Sequence, residues 1–248
     1  MIKKILKIFA ILILGAFGGL IFQFFLFPYL ITSPYFENFE FIKILKERQV
    51  IINPKEEIIV QENIALEKAI EKVEKSLVGV KTKTKEGKIL EGSGFIISSD
   101  GLMVTLSDLL PAGSEINFFV GGETLHLVDG EGKILKRDST QNLVLVKLEK
   151  ESLITCGFAD PEKIKLGERV FLIGVIFDKK EGPQKIVNEG IIKIFSENYI
   201  KTNIFEKSAL KGSPLFDIGG NFLGLNTIDS EGRVISIPVA KIKSFAGF

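Results

Sequence analysis

A run of apolar residues near the N-terminus sets the first constraint on this chain. Residues 8–27 read IFAILILGAFGGLIFQFFLF and contain no charged residue and one clearly polar side chain, Gln23. At a rise of about 1.5 Å per residue, such a helix spans the hydrocarbon core of a bilayer, which is about 30 Å thick. A cleaved signal peptide is the alternative, although its apolar core would be shorter and would end in small residues. The run predicts a single N-terminal transmembrane helix.

The distribution of basic residues predicts how this helix is oriented. Lys3, Lys4 and Lys7 precede the run, and no basic cluster follows it closely. Positively charged flanks stay on the cytoplasmic side, so residues 1–7 are expected to form a cytoplasmic tail. The C-terminal domain is expected outside the cytoplasmic membrane. The formal net charge of +1 gives no global field that favours nucleic acid, so no nucleic-acid partner is expected.

The residues after the apolar run divide into a stem and a domain. Residues 28–62 show no clean period and are predicted to be a stem or linker, in which the aromatic segment YFENFEF (35–41) is a candidate contact between copies in a homo-oligomer. A helix signal then begins at Asn63, a favourable capping residue. Its apolar positions follow helical spacing at Leu66, Ile70, Val73 and Leu77.

From about residue 78 onward the pattern is typical of an all-β domain. Short apolar segments such as LVLVKL (143–148) and RVFLIGVIF (169–177) are bounded by Gly, Asp or Asn. The segments SDG (99–101), IGGN (218–221) and DSEG (229–232) are predicted turns, in which glycine supplies positive φ angles. Many short strands with little helical pattern predict a sandwich or a barrel.

The chain has one histidine, His126, and one cysteine, Cys156. A metal site based on histidine needs partners that the chain does not contain, so neither a metal nor another cofactor is expected. His126 lies in TLHLV and is predicted to be a strand residue at or near the surface. Cys156 cannot form an internal disulfide and is predicted to be a buried apolar residue, not a nucleophile.

Several segments in order resemble the HtrA/DegP branch of the trypsin-like serine proteases. The first is EGSGFIISSDGLMVTLSDLL (91–110), and the others are NLVLVKL (142–148), LGERVFLIG (166–174), VNEGIIKIF (187–195), KTNIFEKSALKGSPLFDIGGNFLGLNT (201–227) and ISIPVAKIK (235–243). The resemblance implies a trypsin-like double six-stranded β-barrel with its active site in the cleft between the barrels. The expected domain spans 63–248, with no PDZ domain.

The resemblance also implies three catalytic positions, and all three are substituted. The histidine position falls on Asp108, the aspartate position on Asn142 and the serine position on Lys211. Lysine has no hydroxyl, and a carboxylate is a much weaker base than an imidazole. Ala209 occupies the position of the oxyanion-hole glycine, where a Cβ disfavours the unusual backbone. No catalytic residue is therefore expected.

Two expectations concern the side chains that occupy the substituted catalytic positions. Asp108 and Lys211 have opposite charges and are expected to form an ion pair, with Asn142 donating an amide hydrogen bond to Asp108. Lys211, Asp108 and Gly212 are candidate binding residues. A rearranged site with Ser213 as nucleophile and Lys211 beside it is the weaker alternative, because it needs a desolvated lysine aimed at the serine.

Three functions follow from these alternatives. The first is a membrane-anchored, catalytically inactive serine protease homologue that binds a peptide or protein, such as an active HtrA-like protease. The second is an active serine endopeptidase that uses Ser213 and Lys211. The third is a structural scaffold in an envelope complex.

Overall fold

The computed structural model of the chain describes residues 2–33, 62–127 and 132–248. The chain forms two compact units, Met1–Ile59 and Val60–Phe248. The predicted stem from residue 34 to residue 61, with the candidate contact segment 35–41, lies outside the described residues.

The first unit is helical in its described part. Helix α1 (Ile2–Ile21) continues into a π-helical turn (Phe22–Leu26) and then into α2 (Phe27–Thr32). Pro28 explains the wide turn, because proline lacks an N–H and its ring crowds the carbonyl four residues earlier. Leu6–Leu30 is long and apolar enough to cross a membrane, and it contains the predicted span 8–27.

The second unit begins with helix α3 (Glu62–Val73), which starts one residue before the predicted cap at Asn63. The helix does not reach Leu77 as predicted, because Leu77 begins the first strand. The strands that follow in the described part of the chain are β1 (Leu77–Lys83), β2 (Ile89–Ile96), β3 (Leu102–Leu106), β4 (Glu115–Val120), β5 (Glu123–His126), β6 (Gly132–Asp138), β7 (Leu143–Leu148), β8 (Arg169–Asp178), β9 (Gly182–Phe195), β10 (Ile200–Phe205), β11 (Pro214–Asp217), β12 (Phe222–Ile228) and β13 (Arg233–Pro238).

These strands form two antiparallel sheets. The first has seven strands in the order β5-β4-β1-β2-β3-β7-β6, and the second is a closed barrel of six strands in the order β10-β13-β12-β11-β8-β9. The predicted double-barrel fold class is confirmed, with one strand more in the first sheet than the resemblance implied. The three predicted turns are confirmed, because they separate β2 from β3, β11 from β12 and β12 from β13.

Strand β8 is the element that joins the two cores. Its side chains alternate between opposite faces, as in any β-strand. Val170 and Leu172 belong to the core inside the second barrel, whereas Phe171 and Ile173 belong to the core that extends to the first sheet. Burial on both faces explains why RVFLIGVIF is a nearly continuous apolar run.

An aromatic cluster lies where the two sheets pack together. Phe95, on β2 of the first sheet, stacks on Phe222 of the second barrel with ring centroids 4.3 Å apart. Phe216 contacts Phe95 edge-on at 5.6 Å and stacks with Phe171 at 5.4 Å. All four side chains are fully buried. Because offset-stacked and edge-on rings add to the gain from burial, this cluster is a main source of cohesion between the sheets.

The chain ends in a helix that the sequence analysis did not predict. Helix α4 (Val239–Ala246) follows Pro238 and ends at Gly247, whose φ of 88° is left-handed. Glycine adopts this angle without strain and commonly ends helices. The sequence does contain a helical signal, because the buried residues recur every three positions, at Val239, Ile242 and Phe245.

The aromatic cluster leads to a stability prediction. Phe222→Ala should lower the free energy of unfolding by about 3–5 kcal/mol, because it removes a stacked ring from a site that is fully buried. Phe205→Ala is the matched control, since the Phe205 side chain is 62% exposed, and it should change stability by less than about 1 kcal/mol. Urea unfolding monitored by circular dichroism compares the two. Equal losses would contradict the assignment of the cluster.

Candidate functional site

Asp108 lies on a short 3-10 turn, Ser107–Leu109, that follows strand β3. Asn142, just before β7, holds this turn. Its side-chain Oδ1 accepts a hydrogen bond from the backbone N–H of Asp108 at 3.0 Å, and its carbonyl accepts one from the Ser107 N–H at 3.1 Å. The backbone of Asn142 has a φ of 54°, a left-handed angle that asparagine tolerates better than most residues.

This arrangement corrects one detail of the sequence analysis. Asn142 was expected to donate its amide to the Asp108 carboxylate, but the hydrogen bond runs from the Asp108 backbone to the Asn142 oxygen. The physical reason is the 3-10 turn, which leaves N–H groups in its first residues without partners inside the turn. The amide oxygen of Asn142 supplies an acceptor at that point.

The side chain of Arg137, on β6, also stabilises this turn by hydrogen bonds. Its Nη1 donates to the Ser107 carbonyl at 3.2 Å and to Ser107 Oγ at 3.1 Å, and its Nη2 donates to the Leu110 carbonyl at 2.6 Å. A guanidinium has five N–H donors in a rigid plane, so one side chain can fix several acceptors at once. Sequence reasoning missed this residue, because the contact joins strands far apart in the chain.

Lys211 follows a second 3-10 turn, Ser208–Leu210, and precedes strand β11. Its backbone N–H donates to the Ser208 carbonyl at 3.1 Å, and its carbonyl accepts from the Ser93 N–H at 2.8 Å. An oxyanion hole needs backbone N–H groups that are aimed at the reacting oxygen. The Lys211 N–H is instead used inside its own turn.

The two turns bring Asp108 and Lys211 together. Lys211 Nζ lies 3.3 Å from Asp108 Oδ2, which is the ion pair expected from the sequence. The two side chains are partly exposed, at 31% for Lys211 and 44% for Asp108. Water screens the pair at this exposure, so it contributes little to the stability of the fold.

Ser213 lies two residues beyond Lys211 and is fully buried. Asn226 Nδ2 donates to Ser213 Oγ at 3.0 Å, and the Asn226 Oδ1 accepts from the hydroxyl of Ser236, which is also buried. A serine nucleophile must reach both its substrate and a base. The surroundings of Ser213 are those of a structural hydroxyl in a buried polar network.

Gly212 separates Lys211 from Ser213 and allows two backbones to approach each other. Its φ is 75°, and a Cβ at this position would lie 2.2 Å from the Ser93 carbonyl oxygen. Only glycine fits such a position without strain. Its N–H donates to the Asn226 carbonyl at 2.8 Å, so the backbone donor of this candidate binding residue is already used.

A groove of about 580 Å³ lies beside the ion pair. One wall is the start of strand β2 with the residue before it, and the other is formed by the two 3-10 turns. Its lining residues are Lys88, Ile89, Leu90, Glu91, Asp108, Leu109, Ser208, Ala209 and Lys211. Sequence reasoning assigned no role to Lys88 or Glu91, although Glu91 is the first residue of the matched segment 91–110 and Lys88 lies three residues before it.

The lone histidine and the lone cysteine lie elsewhere. His126, the last residue of β5, is exposed, and its Nδ1 lies 2.5 Å from Asn117 Oδ1 on the neighbouring strand. Cys156 is half-buried against the core, and burial raises the pKa of its thiol to about 12. Neither residue lines the groove.

Comparison with known proteins identifies this architecture. The family model of the trypsin-like peptidase domain matches residues 92–225. The chain belongs to the trypsin-like peptidase family. This match includes the turns that carry Asp108 and Lys211, and the relatives of the chain are HtrA-like members of the family.

Two of these HtrA-like relatives are probable periplasmic serine endoproteases of the DegP-like type. The protein of Pseudomonas putida strain W619 is 29% identical over 144 residues, which are 55% of this chain and 28% of the relative. The protein of Chlamydia trachomatis serovar D is 28% identical over 165 residues, which are 61% of this chain and 31% of the relative. The chain thus spans about a third or less of the length of the curated relatives it matches.

A solved structure shows the same fold. The HtrA-type protease AlgW, in a structure with a tripeptide, matches with a TM-score of 0.63 and 20% identity. The match covers 73% of this chain and 62% of that one. At this identity the likeness supports the trypsin-like fold, which the sheet topology of the chain shows independently.

The hydrogen bonds around Asp108 predict that Asn142 matters more for stability than the ion pair does. Asn142→Ala removes the Oδ1 acceptor and places alanine at a left-handed angle, so it should cost about 1–2 kcal/mol of unfolding free energy. Asn142→Gly should cost less, because glycine adopts that angle freely. Lys211→Met should cost less than about 1 kcal/mol. Thermal unfolding ranks the three variants, and a larger loss for Lys211→Met than for Asn142→Ala would contradict this ranking.

The burial of Cys156 predicts that the stability of the fold falls at high pH. Because burial raises the pKa of the thiol from 9.0 to about 12, folding favours the neutral thiol. Its stabilising contribution is complete below about pH 9 and is lost as the pH rises toward 12. We expect a maleimide to react slowly with the folded chain at pH 8 and rapidly after unfolding. A Cys156→Ala variant isolates the contribution of the thiol to the pH dependence of stability. Rapid maleimide labelling of the folded chain at pH 8 would refute the burial of this thiol.

Proposed function

We propose that this chain is a membrane-anchored HtrA-like protease homologue that does not hydrolyse peptides and acts by binding a peptide or protein segment outside the cytoplasmic membrane. The observation that carries the proposal is the Asp108–Lys211 ion pair, which stands where the family's histidine and serine are expected from the sequence resemblance. The proposed activity is recognition without bond cleavage.

The chemistry of the three triad positions supports the absence of hydrolysis. Acyl transfer by a serine protease needs a hydroxyl nucleophile, an imidazole base and a carboxylate that orients the imidazole. Lys211 supplies an ammonium group, Asp108 a carboxylate and Asn142 a neutral amide that is bonded to the Asp108 backbone. His126, the one histidine in the sequence, is not among the residues that line the groove.

The backbone around Lys211 supports the same conclusion. The Lys211 N–H bonds to the Ser208 carbonyl, so it does not face a substrate oxygen. Ala209 stands where the resemblance places the oxyanion-hole glycine. Restoring a serine side chain alone would therefore leave the stabilisation of the tetrahedral intermediate incomplete, and loss of one such donor lowers kcat by about a hundredfold to a thousandfold in a serine protease.

The location of the activity follows from the N-terminal helix. Leu6–Leu30 can span a membrane; Lys3 and Lys4 precede this span, and Lys7 is its second residue. By the positive-inside rule, these lysines support the proposed location of the C-terminal domain outside the cytoplasmic membrane. The curated relatives carry periplasmic names, which is consistent with this orientation. A membrane-tethered binding domain can hold its partner at the membrane surface, and an active HtrA-like protease is one candidate partner.

The two alternative functions, a rearranged endopeptidase and a structural scaffold, require different features of the chain. A rearranged endopeptidase needs Ser213 to meet a substrate, yet this residue is fully buried and hydrogen-bonded to Asn226. A scaffold that organises an envelope complex through residues 35–41 needs no groove, and that segment lies outside the described residues. The groove beside Lys211 therefore favours the binding function.

A direct test uses the full-length chain in detergent micelles. We expect no hydrolysis of casein above background and no covalent labelling by a fluorophosphonate probe, because the chain lacks an activated serine at the cleft. An active HtrA-type protease in the same detergent is the positive control.

A Ser213→Ala variant identifies the source of any signal. Casein turnover or probe labelling that disappears in this variant would establish the rearranged endopeptidase and refute the proposal. Turnover that persists in Ser213→Ala but is lost on changing another residue of the chain would refute it equally.

A further inference from the structure

We propose that the groove beside the ion pair binds an extended peptide segment through a carboxylate, and that Asp108 is an internal competitor for Lys211. This inference rests on the proposed binding function and adds to it the chemistry of the ligand. The carboxylate belongs either to an acidic side chain or to a free C-terminus, and the experiment below distinguishes these two sources.

The first support is a free strand edge along the groove. Strand β2 pairs with β1 from Ile89 to Phe95, but its pairing with β3 covers only Gly94 to Ile96. The backbone of Ser93 faces away from β1, because its N–H donates to the Lys211 carbonyl and its own carbonyl accepts from Thr105 Oγ1.

The backbone direction repeats every second residue in an antiparallel strand. Glu91 and Ile89 therefore direct their backbone N–H and C=O groups to the same side as Ser93, along the groove. In the described part of the chain, no strand pairs with them on that side. Such an edge accepts an extended peptide by strand addition.

The second support is the balance of charge in the groove. Among its lining residues, Lys88 and Lys211 are basic, and Glu91 and Asp108 are acidic. Glu91 is held by Lys81, whose Nζ lies 3.3 Å from Glu91 Oε1. No ion pair to Lys88 occurs among the described residues. With Glu91 neutralised by Lys81 and Asp108 by Lys211, the groove has a net positive charge located at Lys88.

The third support is that the Asp108–Lys211 ion pair is weak enough for another carboxylate to replace Asp108. Both side chains are partly exposed, and the pair is separated by 3.3 Å. Ion pairs at this exposure are weak because water solvates each partner when the pair opens. An incoming carboxylate can therefore take the place of Asp108 on Lys211 with little loss. The turn beneath Asp108 is held by Asn142 and Arg137 through contacts that do not involve its carboxylate.

The groove also offers an apolar surface at the free edge. Ile89 is 47% exposed at the start of β2, and Leu109 lies beneath the groove. The volume of about 580 Å³ is within the range of about 300–1,000 Å³ found for sites that hold small molecules. Side chains alternate along an extended ligand, so an apolar residue next to an acidic one can contact Ile89 while the acidic residue reaches a lysine.

The test measures binding of three fluorescein-labelled peptides to the full-length chain in detergent micelles by fluorescence anisotropy. The first is a six-residue peptide of alternating Ser and Val with one central Glu and an amidated C-terminus. The second replaces the Glu with Gln, and the third is the Gln peptide with a free C-terminal carboxylate. We expect the Glu peptide, the free-acid peptide or both to bind at least about tenfold more tightly than the amidated Gln peptide.

Variants separate this mechanism from general damage to the fold. Lys88→Met and Lys211→Met should each weaken the preferred peptide by about tenfold, and Lys180→Met, at an exposed hairpin away from the groove, should leave it unchanged. Asp108→Asn should strengthen binding of the preferred peptide several-fold, because it removes the internal competitor. A misfolded variant would not bind more tightly.

The relative affinities of the three peptides identify the source of the carboxylate or reject the inference. Preference for the internal Glu assigns an acidic side chain, and preference for the free-acid peptide assigns a C-terminus. Equal affinity for all three peptides, or affinity that is unchanged by both Asp108→Asn and Lys211→Met, overturns the carboxylate mechanism and leaves the proposed absence of hydrolysis intact. Cleavage of the peptides by the chain would instead overturn the proposed function.

Discussion

The packing of four aromatic rings between the two sheets is the interaction on which the rest of this structure depends. Phe95 belongs to the first sheet, and Phe171, Phe216 and Phe222 belong to the second barrel. The turns that carry Asp108 and Lys211 come from different sheets, so their separation is set by how the sheets pack. An ion pair of 3.3 Å formed by residues 103 positions apart is a consequence of this packing.

The two 3-10 turns that carry Asp108 and Lys211, the positions predicted from the resemblance, define the candidate site. The two turns meet, and a groove opens beside them. The hydroxyl nearest in sequence, Ser213, is fully buried, and the Lys211 N–H is bonded inside its own turn. The Asn142 amide, the Arg137 guanidinium and backbone groups hold the turn that carries Asp108, so the site keeps its shape without an imidazole.

The charges give the groove a specific chemical character. Lys81 neutralises Glu91 and Asp108 neutralises Lys211, whereas Lys88 has no acidic partner among the described residues. A bound carboxylate would complete this arrangement at a free edge of β2. The proposed function also includes a membrane anchor, for which the candidate is the N-terminal helix Leu6–Leu30.

The sequence by itself determined the apolar helix, the short strands and the turns between them, because these depend on local composition. The loss of the triad is a prediction that rests on the resemblance. The sequence also indicated that Asp108 and Lys211 would meet, through the resemblance of the segments that carry them. Only the tertiary structure decided that Asn142 accepts from the Asp108 backbone, that Arg137 braces the turn and that Lys88 lines the groove. These contacts join distant strands, and their partners depend on sheet register and on the packing of two sheets, which no local pattern encodes.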